Sequence, residues 1–169
     1  MMRTLAATLF VLASLLPGLA AAEAIQLPVE TLDERLLDVP AELQKTPRVL
    51  VIGFTHASQK ATKPWFDKLL PGCGAGLGCY NVSIIERMPG FARGFAVSKM
   101  RDDVPVAQHG QWLLVTENSA GWLQLAGTAK ADDSAYIVVF GADGAVRARL
   151  HGQWSAALQA EVDKAVATP

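Results

Sequence analysis

RVLVIGF, residues 48–54, followed by THASQKATKP, residues 55–64, is the stretch on which the fold of this chain turns. Val49, Leu50, Val51 and Ile52 are four consecutive apolar residues, three of them β-branched. Such a run, without polar alternation, reads as a strand buried on both faces, as in a sheet covered by helices. Sheets of this kind gather ligands and chemistry at the carboxyl ends of their strands, before the next helix. Here that place holds His56, Ser58, Gln59, Lys60 and Lys63, with no obvious reactive pair among them.

Working outward, Ala61, Trp65, Leu69 and Leu70 form an apolar stripe that predicts a helix after the strand. Pro64 belongs to its first turn if the helix starts near Thr62, and marks a kink if it starts at Ser58. Residues 71–79, PGCGAGLGC, stop that helix, and residues 80–86, YNVSIIE, read as a second strand. Residues 91–100 are expected to be helical with Phe91 and Phe95 inward, joined by Val97 or Met100. A third strand is expected at 111–117 (QWLLVTE), a short helical turn at 122–125, and a polar loop at 127–134. Residues 135–140, AYIVVF, form the second strongly buried strand, and GADG at 141–144 is a tight turn. Residues 145–151 alternate, with Val146, Ala148 and Leu150 on one face and Arg147, Arg149 and His151 on the other. That pattern predicts an antiparallel edge strand. Ser155 then caps a final helix to about Ala167, with Leu158, Val162 and Val166 on one stripe. Upstream, residues 25–47 are a lead-in: VETLDERLL at 29–37 suits a short helix, with Thr31 and Glu34 as a capping box, lying over the core outside the sheet.

This order of elements gives a mixed sheet with helices on both faces. With YIVVFGADGAVRARLHG leading into an amphipathic helix, it resembles the C-terminal half of the thioredoxin-like fold, and VLVIGFTHASQKATKPWF resembles that fold's first core strand and helix. The resemblance implies a three-layer α/β/α sandwich over residues 48–169, with a central mixed sheet of about five strands, a C-terminal hairpin and a closing helix. Redox-active members carry Cys-x-x-Cys at the helix start. Laid on this chain, the motif falls on SQKA at 58–61, without either cysteine. The proline usual before the second buried strand is also missing, since Asp132, Asp133 and Ser134 stand there. Without a thiol at that helix start there is no low-pKa nucleophile in the usual place. The outline is also loosely similar to the mitochondrial ATP synthase assembly factors that keep the fold and lack the motif.

Arg3, the 12-residue apolar run LAATLFVLASLL at 5–16, and small residues at 20–22 have the architecture of an export signal spanning residues 1–24, cut after Ala22 or Ala24. The rival reading is a retained anchor, though the run falls short of the roughly 20 residues a spanning helix needs. A periplasmic or secreted location follows. Fifteen Lys and Arg balance sixteen Asp and Glu, without a basic run, which argues against nucleic acid as a partner.

Cys73 and Cys79 are the only cysteines. In an exported protein such a pair forms a disulfide most simply; a redox-active pair, free thiols or a metal site are the alternatives. Cys73 follows a helix C-terminus, where the dipole disfavours a thiolate. His56, His109 and His151 lack close ligand spacing, so no metal is assigned, and no motif implies a cofactor. Ser58 beside His56 lacks the nucleophile-elbow glycines, and a helix cap explains it. Glu86, Arg87 and Glu117 at strand ends suit solvated charges as well as acid–base work. Trp65, Trp112, Trp122 and Trp154 read as core or element-end anchors. The leading expectation is a non-catalytic envelope protein that binds a peptide or protein partner, or assists assembly, through His56, Ser58, Lys60, Asp133 and Ser134. A thiol oxidoreductase or peroxiredoxin-like enzyme using Cys73 and Cys79 is the rival, and a structural module without a groove is the third reading.

Overall fold

The computed structural model describes residues 26–168 except 44 and 75, so the leader read at residues 1–24 lies outside the described residues. Strands β3 (Arg48–Gly53) and β6 (Tyr136–Phe140) lie side by side and antiparallel, with Val49 opposite Val139 and Val51 opposite Ile137. The two runs expected to be central strands are neighbours. Val49, Leu50, Val51 and Ile52 are all completely buried, each burial stabilising by about 1.5–3 kcal/mol at most. β4 (Gly78–Ile84) runs parallel to β3, and β5 (Trp112–Val115) parallel to β4.

Among the described residues the sheet has seven strands, in the order β2-β1-β5-β4-β3-β6-β7, where about five were expected. The two extra strands are β1 (Leu27–Thr31) and β2 (Leu36–Val39), an antiparallel hairpin that joins the sheet through β5. The expected helix at 29–37 is therefore corrected, as is its position outside the sheet. Thr31 does not cap a helix: its hydroxyl accepts from Arg35 N at 2.9 Å, and Thr31 N donates to Arg35 O at 2.9 Å. Glu34 has φ 66°, a left-handed conformation that turns the chain and is incompatible with a helix there.

Helix α1 (Gln59–Leu69) and helix α4 (Ala156–Val166) cover one face of the sheet. Pro64 lies inside α1, so the earlier of the two expected starts is the observed one. The fully buried Trp65 donates from Nε1 to Gly152 O at 3.0 Å, fastening α1 to the turn that leads into α4. Ser155 caps α4 by accepting from Leu158 N at 3.2 Å. Helix α3 (Ser119–Ala126) covers the opposite face, with Trp122 and Leu125 in the core.

Helix α2 (Gly90–Asp103) flanks the first face and has no fully buried residue. Val97 and Met100 pack on Leu32, Ile85, Val104 and Leu114. Phe91 and Phe95, expected inward, are 88% and 74% exposed instead. The helix leans on the sheet by the opposite stripe.

β7 (Val146–His151) is the antiparallel edge strand expected, but its faces are not those of simple alternation. Phe140 opposes Val146 while Val139 opposes Ala148, so Arg147 is an extra residue in a bulge. Val146 thus packs with the α3 side of the core, whereas Ala148 and Leu150 pack on the α1 side.

Candidate functional site

The carboxyl end of β3 meets the start of α1 in a reciprocal turn. Ser58 N donates to Thr55 Oγ1 at 3.1 Å, and Thr55 N donates to Ser58 Oγ at 3.2 Å. Two residues three apart, each satisfying the other's backbone donor, have the geometry of a capping box, with Ser58 in the place usually held by Glu or Gln. Ser58 is wholly buried, and an added Cβ at Gly53 would stand 3.2 Å from its own Cβ.

The loop before β6 closes over this turn. Thr55 Oγ1 donates to Asp133 Oδ1 at 2.6 Å, and Ser58 Oγ reaches Asp132 O at 3.5 Å. Asp132 is the hub of the loop: its Oδ1 accepts from Ser134 N at 2.8 Å and from the Tyr136 hydroxyl at 3.2 Å. His151 Nε2 stands 3.1 Å from both of its oxygens. The Ser134 amide above all, and then His151, hold the Asp132 carboxyl down at about 2. The Tyr136 ring packs between His151, at a centroid distance of 4.5 Å, and Phe54, at 5.1 Å. Desolvation raises the Tyr136 phenol above its ordinary value, so it stays a neutral donor.

Of the residues read from sequence, the structure brings Ser58, Asp133 and Ser134 together. His56 and Lys60 sit exposed beside them on the first turn of α1 and the loop before it. Asp132 was legible only as part of the 132–134 loop, and Thr55, Tyr136 and His151 were missed as members of this site. The signal for the last two was the hairpin: closing β6 on β7 across GADG places Tyr136 opposite His151.

The chemistry of the cluster is that of a closed hydrogen-bond network. Thr55 gives its one hydroxyl proton to Asp133, and among the described residues no histidine contacts Ser58 Oγ. A serine without a base is not activated as a nucleophile. His109 lies apart, its Nε2 2.9 Å from Val104 O, and no group of three or more His, Cys, Asp or Glu among the described residues could hold a metal ion. Glu86 is engaged in structure: its Oε2 accepts from Ser119 N at 2.8 Å at the start of α3, and the Ser119 side chain first, then this amide, lower its pKa.

Cys73 and Cys79 form a disulfide with Cα atoms 5.7 Å apart. Cys79 pairs with Val49 at the amino end of the sheet. Phe54 lies five residue steps beyond Val49, so about 16 Å of extended chain lies between the disulfide and the Thr55–Ser58 turn. Cys73 lies past the C-terminal end of α1, its Sγ 3.1 Å from Leu69 O. A carbonyl end is the wrong pole to stabilise a thiolate.

No protein-family model matches the chain, and no curated protein matches it. Solved structures do. BsSco, a member of the Sco family of cytochrome c oxidase assembly proteins, is 11% identical, covers 85% of this chain and 93% of its own, and has a TM-score of 0.56. A secreted Mycobacterium tuberculosis disulfide oxidoreductase, homologous to Escherichia coli DsbE, is 19% identical over 87% of this chain and 98% of its own, with a TM-score of 0.53. The exposed lipoprotein thioredoxin of Streptococcus pneumoniae is 10% identical over 82% and 98%, with a TM-score of 0.56. At these identities the likeness establishes the fold: the chain is a thioredoxin-like α/β protein with a C-terminal hairpin and closing helix. Among the described residues no helix is long and apolar enough to cross a membrane.

Proposed function

We propose that this thioredoxin-like chain, with Ser58 where a reactive thiol would stand, is a redox-inactive binding or assembly protein of the cell envelope. One observation carries the reading. The helix start that could stabilise a thiolate holds a buried, fully engaged serine, and both sulfurs are bonded to each other at the far end of the sheet. The fold keeps its scaffold while the reactive position has become a structural joint.

The surface left for a partner is the rim formed by His56, Lys60, Asp133 and Ser134. A shallow apolar trough on α3 is lined by Ala120, Leu123, Gly127 and Ala129. Residues 1–24, read as an export signal, motivate the envelope location.

Two assays in parallel test this. Dithiothreitol-driven insulin reduction should stay at background. Envelope-fraction capture by the parent should be lost in a His56→Ala/Lys60→Glu variant and kept in Cys73→Ala/Cys79→Ala. Insulin reduction that disappears in the double-cysteine variant would replace this reading with the oxidoreductase.

A further inference from the structure

We propose that a second site, a cleft at the amino end of the sheet, binds a free amino acid with an apolar side chain. The cleft measures about 330 Å³ and lies between the β1–β2 hairpin, the disulfide-closed loop and the 3-10 turn Val106–Gln111. That volume sits at the small end of ligand sites, too small for a peptide segment and adequate for one amino acid. Its walls include Leu37, Leu43, Leu77 and Tyr80, which give the apolar part of a ligand somewhere to go.

Two opposite charges line the same cleft, Arg35 and Glu42. Asp33 Oδ2 accepts from Arg35 Nε at 3.0 Å, which orients the guanidinium through one edge and leaves the terminal nitrogens as donors. Nη2 lies against the backbone of Gly110, another lining residue, where an added Cβ would collide with it. Glu42 accepts from Asp38 N at 2.7 Å through Oε2, leaving Oε1 as an acceptor. A carboxylate on Arg35 and an ammonium on Glu42 satisfy both groups without adding net charge. A simple anion would face Glu42, and a simple cation would face Arg35. Only a zwitterion meets the cleft on its own terms.

The disulfide has a place in this design. Cys79 lines the cleft, and Gly74 and Leu77 form a two-residue bridge inside the loop that it closes. The clip holds Leu77 in the wall.

Isothermal titration of the full chain with leucine, methionine and phenylalanine tests the proposal, beside 4-methylpentanoate and isopentylamine, which each lack one charge of leucine. Saturable one-site binding is expected for at least one amino acid. Each single-charge analogue should bind at least about tenfold more weakly than leucine, as for loss of one charge-assisted hydrogen bond. Arg35→Gln should weaken amino-acid binding by a similar factor. So should Gly110→Ala, which keeps the charge but displaces a flexible side-chain end, with the thermal midpoint little changed. No saturable heat from any of the three amino acids at millimolar concentration overturns the proposal. Binding that either analogue matches, or that survives both substitutions, overturns it equally.

Discussion

Both carboxylate oxygens of Asp132 stand 3.1 Å from Nε2 of His151, so the loop before β6 is tied to the last residue of β7. The same carboxylate receives the Ser134 amide and the Tyr136 hydroxyl, and Thr55 reaches the neighbouring Asp133. One side chain thus organises the rim that a redox member of this fold would devote to chemistry.

Acid should expose this dependence. The Asp132 carboxyl is lowered from 3.8 to about 2 in the folded protein, so its stabilisation is complete above the unfolded value and lost as pH falls through about 2. The side chain is 55% exposed, and solvent screening keeps the contribution below about 1 kcal/mol. Urea midpoints measured at about pH 5 and about pH 2 should fall further in the parent than in Asp132→Asn. Equal falls would show that the carboxylate does not contribute.

Trp65→Phe separates a hydrogen bond from a packing contact. The substitution keeps most of the buried ring but removes the donor to Gly152 O, leaving a carbonyl without its protein partner. We expect a loss of about 1–3 kcal/mol by denaturant unfolding. A loss below about 0.5 kcal/mol would mean that water replaces the indole.

Reduction should weaken the protein without unfolding it. The Cys73–Cys79 loop is short, and closing it removes unfolded-chain entropy worth on the order of 2 kcal/mol. Cys73→Ala/Cys79→Ala should lower the thermal midpoint while preserving the far-ultraviolet dichroism. Intact mass of the parent should rise by two hydrogens on reduction. A mass unchanged by reductant would mean that the bond is not formed.

The two stripes of α2 should respond oppositely to substitution. Phe91→Ser removes an aromatic side chain already 88% in solvent and should change stability by no more than about 0.5 kcal/mol. Ile85→Ala, under the opposite stripe, should cost about 2–5 kcal/mol. Comparable losses for both would mean that Phe91 packs against the domain.

What was legible in the sequence follows from how local each signal is. The double-buried strands β3 and β6 announce themselves by composition, and the helix at Ser155 by its cap, because each signal is complete within a few residues. The β1–β2 hairpin was hidden by a competing local pattern. Thr31 and Glu34 match a capping box, and Leu32, Leu36 and Leu37 match a helical stripe. Yet Leu27, Val29 and Thr31 also alternate, and that period wins because β5 offers an edge to pair with. Phe91 and Phe95 misled for a similar reason: two aromatics four apart define a stripe but do not say which side of the helix meets the sheet. At the site, residues 56–60 and the loop 132–134 both read as the rim. The hub at Asp132 was not legible, because its partners at Tyr136 and His151 depend on the register of a hairpin with a bulge in it.

That bulge also bears on how the molecule behaves in a crowd of its own kind. An open sheet ends in two rows of unsatisfied backbone groups, each able to template a strand from another chain. At one end β2 is only four residues long and carries Asp38. At the other, the extra residue at Arg147 breaks the regular ladder of β7, and Arg149 and His151 place charge and a polar ring along it. A strand arriving from a neighbour would find neither a long nor a flat place to bind at either described edge.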